Sequence, residues 1–440
     1  MRRVSSILIC FSFLAGSAGA DEPGVIDDVL AILHERGLVD EARYSELVSR
    51  NGSYEQENED LLGRIEFSGD LRTRLENFWF DDSALDEGRP DRTRARYRLR
   101  LQGVARINER TEAVFRVVSG QSEFIGFPVG DRRALDRTLG QDPDFGNDEI
   151  FIDLAYIHMK APERLVGENG KLDLVLGKVR NPFRWRNGRD YLLWDPDITP
   201  EGVGLQYEME ASSTTRLFLN TGYFIVEEND TSKDPHVLGI QAGAQVAASE
   251  QVELGGRLSW YSWGSLNQAF FARSTLTGAV PDGLTGGAPS SSNDGIQAGE
   301  LAGYLRFAGV ENWPILVYGH YARNFSAERS VLAPAADKED TGWGLGLEVG
   351  DKKGVAKLGV GYYRSEANFW PAQFTDSELF DGRTNRKGWN FYGSRQLLPG
   401  TDFNVGLYLS EPLRKTLPDF ANSVALADRV RLQTDLVVHF

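Results

Sequence analysis

Arginines occupy every second position from Arg92 to Arg100, in the segment RTRARYRLRLQ, and are the residues of this chain best suited to binding chemistry. In an extended strand, residues two apart point to the same face, so all five guanidinium groups would share one face. They combine permanent positive charge with several hydrogen-bond donors, and a row of them therefore attracts anions. Arginines of the neighbouring predicted strands can extend the row. The predicted basic row is Arg72, Arg74, Arg92, Arg94, Arg96, Arg98, Arg100 and Arg116.

Side chains that could perform catalysis or bind a metal are sparse. Five histidines are present and no pair of them shows metal-ligand spacing, and the sequence has no GxSxG motif. Asp195 and Asp197, in the run DPDITPEG, could gather a calcium ion, but prolines interrupt the run and a turn is the favoured interpretation. The sequence therefore predicts no catalytic residue, no metal and no cofactor.

Alternating apolar and polar residues predict β-strands over most of the chain after residue 64. The last segment, RVRLQTDLVVHF, alternates in this way and ends at Phe440. We count sixteen candidate strands between residues 65 and 440, and most of them have the roughly 9–11 residues that a tilted membrane-spanning strand needs. No apolar run long enough for a membrane-spanning helix follows residue 20.

The connections between these strands alternate in length. Short ones, such as 211–214 and 399–400, alternate with long ones, such as 122–148 and 264–294. A transmembrane barrel has this pattern because its turns are short on one side of the membrane and its loops are long on the other. The predicted fold over residues 61–440 is therefore all-β, a transmembrane antiparallel β-barrel of about sixteen strands (16–18). A barrel of that size leaves a water-filled lumen.

Tryptophans are expected to mark one membrane interface. Trp79, Trp260, Trp263, Trp343 and Trp389 all lie at strand ends that join long connections. Aromatic girdles of transmembrane barrels lie at this level, so these five side chains are predicted to face the outer interface.

The first sixty residues differ from the rest of the chain. Arg2 and Arg3, an apolar stretch and the small residues 18–20 predict a cleaved secretory signal over residues 1–20. Residues 21–60 show helical spacing, with Gly37 and Asp40 placed to end one helix and cap the next. They are predicted to form a periplasmic helical hairpin or linker; a small coiled coil and a plug in the lumen are the alternatives. The net charge of −16 argues against nucleic acid as a partner.

Two features resemble those of known membrane proteins. Phe440 resembles the terminal aromatic residue by which Gram-negative outer-membrane barrels are recognised for insertion. The stretch GKVRNPF, followed by LLWDPDITPEGVGLQY, resembles the family of Gram-negative putative porins, which is distantly akin to the phosphate-selective porins O and P. The matching positions are Gly177, Lys178, Arg180, Asn181, Pro182 and Phe183.

This resemblance implies a barrel of sixteen or eighteen strands in the bacterial outer membrane, often trimeric, that lets small hydrophilic solutes diffuse passively. In the family, the glycine–basic–Asn-Pro-Phe stretch ends a strand before an outer loop. The implied partners are outer-membrane lipids and lipopolysaccharide, the barrel-assembly machinery, small hydrophilic solutes and further copies of the chain in a homotrimer. Phosphate specificity does not carry over, because the chain is acidic overall and no outer loop holds a lysine cluster.

In general porins a loop folds into the barrel and sets acids opposite basic wall residues. The connection 122–148 is long and acidic enough to do the same here, although a plain solvated loop is the alternative. The field between acids and arginines would then orient polar solutes at a constriction. The candidate constriction acids are Asp131, Asp136, Asp142, Asp144 and Asp148.

The predicted function is therefore an outer-membrane porin that selects small, charged, hydrophilic solutes by size and by the field at its constriction. An arginine facing the lipid midplane costs about 2–4 kcal/mol, so several arginines of the row must face the lumen. A less functional interpretation is that they pair with inward acids and only stabilise the wall. The alternative functions are a barrel enzyme and a plugged barrel that serves as an adhesin or anchor.

Overall fold

Alternating strand residues organise most of the computed structural model of this protein. The structure describes residues 25–50, 63–80, 91–120, 137–138, 149–184, 187–266, 295–311, 313–327, 338–380, 382, 384–414 and 428–440. Seventeen strands lie in these ranges, and all but the two-residue β4 have nine to seventeen residues. They are β1 (Ile65–Phe80), β2 (Arg92–Asn108), β3 (Thr111–Gly120), β4 (Arg137–Thr138), β5 (Glu149–Lys160), β6 (Gly170–Lys178), β7 (Glu201–Ser212), β8 (Thr215–Ile225), β9 (His236–Ala247), β10 (Val252–Gly264), β11 (Ile296–Phe307), β12 (Ile315–Asn324), β13 (Thr341–Gly350), β14 (Lys357–Ser365), β15 (Arg386–Leu398), β16 (Thr401–Pro412) and β17 (Arg429–His439).

The sixteen long strands close into one antiparallel barrel. Each pairs with the next long strand along the chain, and β17 returns to pair with β1 from Asp70↔His439 to Phe80↔Arg429. The short β4 pairs beside β2, at Arg96↔Thr138. Closure leaves no unpaired edge strand, which is how a barrel satisfies its backbone within a membrane. The predicted fold and strand number are confirmed.

The alternation of connection length is also present. Seven connections have two to nine residues, and the eight that alternate with them have ten or more. One of the seven, between β5 and β6, holds the single-turn helix α3 (Glu163–Val166). We call the two rims of the barrel the short-turn end and the long-loop end.

Apolar side chains cover the outer face, as expected for strands in contact with lipid. Trp79, Trp260 and Trp389 are each more than two-fifths exposed on this face, near the long-loop end. Trp263 was wrongly predicted to join them and is buried inside the barrel. It lies three residues from Trp260 on β10, and residues an odd number apart on one strand face opposite sides. Phe440 continues the pairing of β17, since its N–H donates to Gly69 O at 3.1 Å.

The N-terminal residues form a separate unit, Met1–Arg64, beside the barrel unit Ile65–Phe440. Its described residues contain α1 (Val25–Glu35) and the helical residues 41–50, here α2. Gly37 ends α1 with a positive φ of 65°, and Asp40 Oδ1 accepts the backbone N–H of Arg43 at 2.8 Å. Both predicted boundaries are therefore confirmed. Among the described residues, no helix has the length and apolar character to cross a membrane. The predicted signal, residues 1–20, lies outside the described residues.

Two of the long connections run inside the barrel, where they form its apolar core. They are residues 179–200, between β6 and β7, and residues 366–385, between β14 and β15; we call them inward loop A and inward loop B. Their aromatic side chains pack against inward-facing rings of β8, β10 and β12–β16. The largest buried members of this core are Phe183, Tyr191, Trp194, Phe369, Trp370, Phe380, Phe224, Tyr261, Trp263, Tyr318 and Tyr363.

Candidate functional site: a charged constriction inside the barrel

The inner face of β17, β1 and β2 carries the predicted basic row. Barrel closure places these three strands side by side, and their register sets Arg72 opposite Arg98 and Arg74 opposite Arg96. Like charges directly opposite on neighbouring strands destabilise a sheet, so this arrangement requires acids nearby. Arg429 and Arg431 of β17 are buried and bind loop B, which extends the row to a third strand. We call this surface the basic wall.

Three carboxylates on the same strands neutralise part of the basic wall. Glu76 is fully buried and pairs with Arg94 and Arg431. Asp435 accepts both ends of the Arg74 guanidinium, at 2.7 and 2.8 Å. Asp70 of β1 likewise accepts Arg100 Nε at 2.7 Å. The interpretation in which the arginines pair with inward acids thus describes the geometry of this wall.

The remaining members of the predicted row lie at its margins. Arg72 is partly buried on the same face of β1, whereas Arg92 is exposed at the first residue of β2. Arg116 of β3 pairs with Asp153 of β5. These residues lie further from the centre of the wall than Arg74, Arg96 and Arg98, all three of which are buried.

The family-like stretch Gly177–Phe183 directs the chain into the barrel. The resemblance led us to expect that it ends a strand before an outer loop, and the predicted strand extended to residue 183, but β6 ends at Lys178. Gly177 has a φ of +128°, and a Cβ there would lie 2.3 Å from the carbonyl oxygen of Ala155. Only glycine fits such a conformation at so close an approach. Asn181 Oδ1 then accepts the N–H of Phe183 at 2.9 Å and forms the turn.

Polar side chains of the barrel wall fasten this turn inside. The carbonyl oxygen of Phe183 accepts hydrogen bonds from Arg257 Nη1 at 2.9 Å and from Gln241 Nε2 at 3.2 Å. Asn220 Nδ2 donates to the carbonyl of Pro182 at 3.2 Å. The other two charged residues of the stretch reach opposite sides, since Lys178 pairs with Glu201 at 2.6 Å and Arg180 donates to Gln102 of β2. Loop A therefore crosses from β6 to the basic wall.

The two inward loops hold each other in place. Trp370 Nε1 of loop B donates to the carbonyl of Leu193 in loop A at 2.6 Å. Asp195 makes two further links, because its N–H donates to Phe374 O at 2.8 Å and its Oδ2 accepts the N–H of Ser377 at 2.9 Å. Asp195 thus acts in a turn that joins the loops, in agreement with the predicted turn.

Carboxylates from both loops meet the basic wall. Asp197 Oδ1 of loop A lies 3.4 Å from Arg98 Nη1, and Glu378 Oε1 of loop B lies 3.0 Å from Arg74 Nη1. Arg431 Nη1 also donates to the carbonyl of Ser377 at 2.9 Å. The described part of the lumen therefore contains a constriction with a basic wall on one side and acidic loops on the other.

These acids are not the ones expected from the sequence. Asp131, Asp136, Asp142, Asp144 and Asp148 all lie outside the described residues. The structure instead supplies Asp197 and Glu378, from connections whose outer position was assumed. Glu76 was also missed, although its even spacing from Arg72 and Arg74 on one strand already placed it on the same face.

The electrostatic environment of the loop acids differs from one to another. Burial alone would raise the pKa of Glu378, but Arg74, Arg431 and Arg72 lower it to about 2. Burial and the neighbouring Asp197 raise the pKa of Asp195 to about 6. Burial and Asp195 likewise raise the pKa of Asp376 well above its usual range. Near neutral pH the constriction therefore keeps Glu378 ionised, whereas Asp195 takes up a proton on mild acidification.

One cluster has the composition of a metal site but is already neutralised. Single ligand atoms of Asp190, Glu300 and His320 lie within 4.8 Å of one another, a proximity that their sequence spacing concealed. Arg257 Nη2 donates to Glu300 at 2.6 Å and lies 3.8 Å from Asp190. The guanidinium thus supplies the positive charge that a cation would bring.

Comparisons with known proteins agree with this architecture. A family model described as putative porin matches residues 82–277, somewhat less than half of the chain. A search of curated proteins gave no match.

Solved outer-membrane channels share the fold. OprB of Pseudomonas putida aligns over 88% of this chain and 97% of its own, with 10% identity and a TM-score of 0.51. The channel DcaP of Acinetobacter baumannii aligns over 86% and 97%, with 11% identity and a TM-score of 0.44. A mutant porin of Rhodopseudomonas blastica aligns over 86% and 100%, with 9% identity and a TM-score of 0.41. Over residues 82–277 this chain is a member of the putative porin family, and the barrel that contains them has the fold of an outer-membrane porin.

Proposed function

We propose that this protein is an outer-membrane porin through which small, hydrophilic, charged solutes diffuse passively. The observation that carries the proposal is the constriction, where a basic wall faces acidic loops inside a barrel of sixteen long strands. Such a barrel is wide enough for a water-filled passage. The family match and the fold support a channel, and none of the comparisons favours an enzyme, an adhesin or an anchor.

The charges at the constriction favour anions. The basic wall contributes eight arginines and three carboxylates of its own, and Asp197 and Glu378 approach it from the loops. Positive charge is therefore in excess along this face, although the whole chain is acidic. Fixed guanidinium groups in a narrow, partly desolvated passage act more strongly on a solute than they would in bulk water. The eight arginines are Arg72, Arg74, Arg94, Arg96, Arg98, Arg100, Arg429 and Arg431.

The proposed surroundings follow from the same architecture. The apolar outer face supports contact with outer-membrane lipids and, at the long-loop end, with lipopolysaccharide. Membership of the porin family supports a homotrimer, and the terminal Phe440 supports recognition by the barrel-assembly machinery. Residues 21–60 remain proposed as a periplasmic hairpin or linker.

Replacing Arg72 and Arg98 together by glutamine should reduce anion selectivity. The two residues are cross-strand partners at the centre of the basic wall, and their loss removes two positive charges opposite Asp197. We expect the anion-to-cation permeability ratio to fall by roughly tenfold, which corresponds to about 1.4 kcal/mol. Reversal potentials in a KCl gradient across planar bilayers measure this ratio.

The matched control is Arg106→Gln, since Arg106 lies on β2 with an exposed partner, Glu66, at the short-turn end. It should leave the reversal potential unchanged. Open channels whose reversal potential is the same in the double variant and the wild type would contradict the proposed selectivity.

Acidification should make the channel more anion-selective between pH 7 and pH 5. The pKa of Asp195 is raised to about 6, so its carboxylate gains a proton in this interval and the inward loops lose one negative charge. Glu378 has a pKa of about 2 and does not contribute to the change. Asp195→Asn should show the low-pH reversal potential at both pH values. A wild-type shift of equal size in this variant would assign the titration to another group.

A further inference from the structure

The carboxylates that touch the basic wall fall into two classes. Those on the strands bind closely, as Asp435 does through both of its oxygens at 2.7 and 2.8 Å from Arg74. Those on the inward loops approach through a single oxygen and over longer distances, 3.4 Å for Asp197 to Arg98 and 3.0 Å for Glu378 to Arg74. Bidentate pairs are the stronger ones, so the loop carboxylates are the more easily displaced.

Exposure separates the same two classes. The side chains of Asp197 and Glu378 are 30% and 20% exposed, whereas that of Glu76 is fully buried. Their arginine partners, Arg98 and Arg74, are only 7% and 6% exposed. The loop carboxylates therefore cover the guanidinium groups from the lumen side, where a solute in transit would arrive.

Each loop keeps other anchors if its carboxylate leaves the wall. Glu378 Oε2 accepts the hydroxyl of Tyr408 at 2.8 Å, so the side chain retains a partner after Oε1 is released. Next to Asp197, the links from Asp195 to Phe374 and Ser377 hold loop A against loop B. Exchange at the two guanidinium groups therefore does not require either loop to unfold.

We propose that Asp197 and Glu378 are internal counter-ions that occupy two carboxylate-binding positions on the basic wall, and that small organic carboxylates in transit exchange with them. This inference rests on the proposed porin function and names a solute class for its constriction. The exchange conserves charge at the wall, because one carboxylate replaces another at Arg98 or Arg74. It makes passage of organic carboxylates saturable rather than simply proportional to concentration.

Internal competition also weakens the apparent affinity for the solute. When a site is accessible only for a fraction of the time, the apparent dissociation constant rises by the inverse of that fraction. Removing the internal carboxylates should therefore tighten solute binding, the opposite of what the loss of a direct contact to the solute would do.

The test uses the full chain in planar bilayers, with citrate as the probe of current block. We expect Asp197→Asn combined with Glu378→Gln to lower the half-blocking citrate concentration by at least tenfold, since both positions on the wall become permanently accessible. The matched control is Glu411→Gln, which removes an exposed acid paired with Lys387 near the long-loop end. This control should block at the wild-type concentration.

An unchanged or higher half-blocking concentration in a double variant with the heat-modifiable gel mobility of a folded barrel would overturn the inference. If the double variant does not fold, the single variants decide, because each should still bind citrate more tightly than the wild type. Wild-type barrels that fold but show no open steps would overturn the proposed function itself, and with it this inference. The two failures are therefore distinguishable.

Discussion

Glu76→Gln should destabilise the barrel by about 3–5 kcal/mol, the range found when one partner of a buried ion pair is removed. Glu76 is fully buried and pairs with Arg94 and Arg431, and it lies 3.7 Å from both Arg74 and Arg96. The glutamine keeps the shape but leaves these guanidinium groups with less negative charge among them. The midpoint of urea unfolding, followed by heat-modifiable gel mobility, measures the loss.

Glu66→Gln provides the control on the same strand and face. Glu66 is about two-thirds exposed, and its pairing with Arg106 is exposed as well. Exposed ion pairs contribute about 0–1 kcal/mol, so this variant should unfold close to the wild type. Equal midpoints for the two variants would mean that the charges around Glu76 are compensated in another way.

Trp370→Ala should release the two inward loops from one another and raise the single-channel conductance. Trp370 is fully buried, donates to the carbonyl of Leu193 at 2.6 Å and packs its ring 5.3 Å from that of Trp194. Truncating a buried tryptophan costs about 3–5 kcal/mol, and here most of the lost contacts join loops rather than barrel strands. Barrel closure should therefore persist while the constriction widens.

The control is Trp389→Ala, because Trp389 is 47% exposed on the outer face and lies far from the lumen contacts. Its removal should leave the conductance at the wild-type value. A Trp370→Ala channel with wild-type conductance would show that loops A and B do not limit the passage.

The barrel strands were largely predictable because their pattern is local. Alternation of period two identified sixteen strands, and the structure places the ends of β1 and β13 at the predicted residues. The same parity put Arg96 and Arg98 on one face, and the cost of arginine in lipid pointed that face inward. It also excluded Trp263 from the outer girdle, a conclusion that we missed by judging tryptophans from their position along the strand alone.

The path of the long connections could not be read from local pattern. Gly177 and Asn181 indicate a turn, but the turn enters the lumen because Arg257, 74 residues further along the chain, binds the carbonyl of Phe183. Loop B is placed in the same way, since Trp370 reaches a carbonyl 177 residues earlier. Length and acidity favoured residues 122–148 as the constriction, whereas contacts distant in sequence brought Asp197 and Glu378 to the wall.

The sequence by itself therefore determined the barrel, its strand number and the face on which its arginines lie. Each of these follows from side-chain alternation between lipid and lumen, which every strand obeys independently. Only the tertiary structure decided which loops enter the lumen and which acids meet the basic wall. Barrel closure joins β17 to β1, and so brings Arg431 beside Glu76, 355 residues away. Such contacts exist only after the whole sheet has closed.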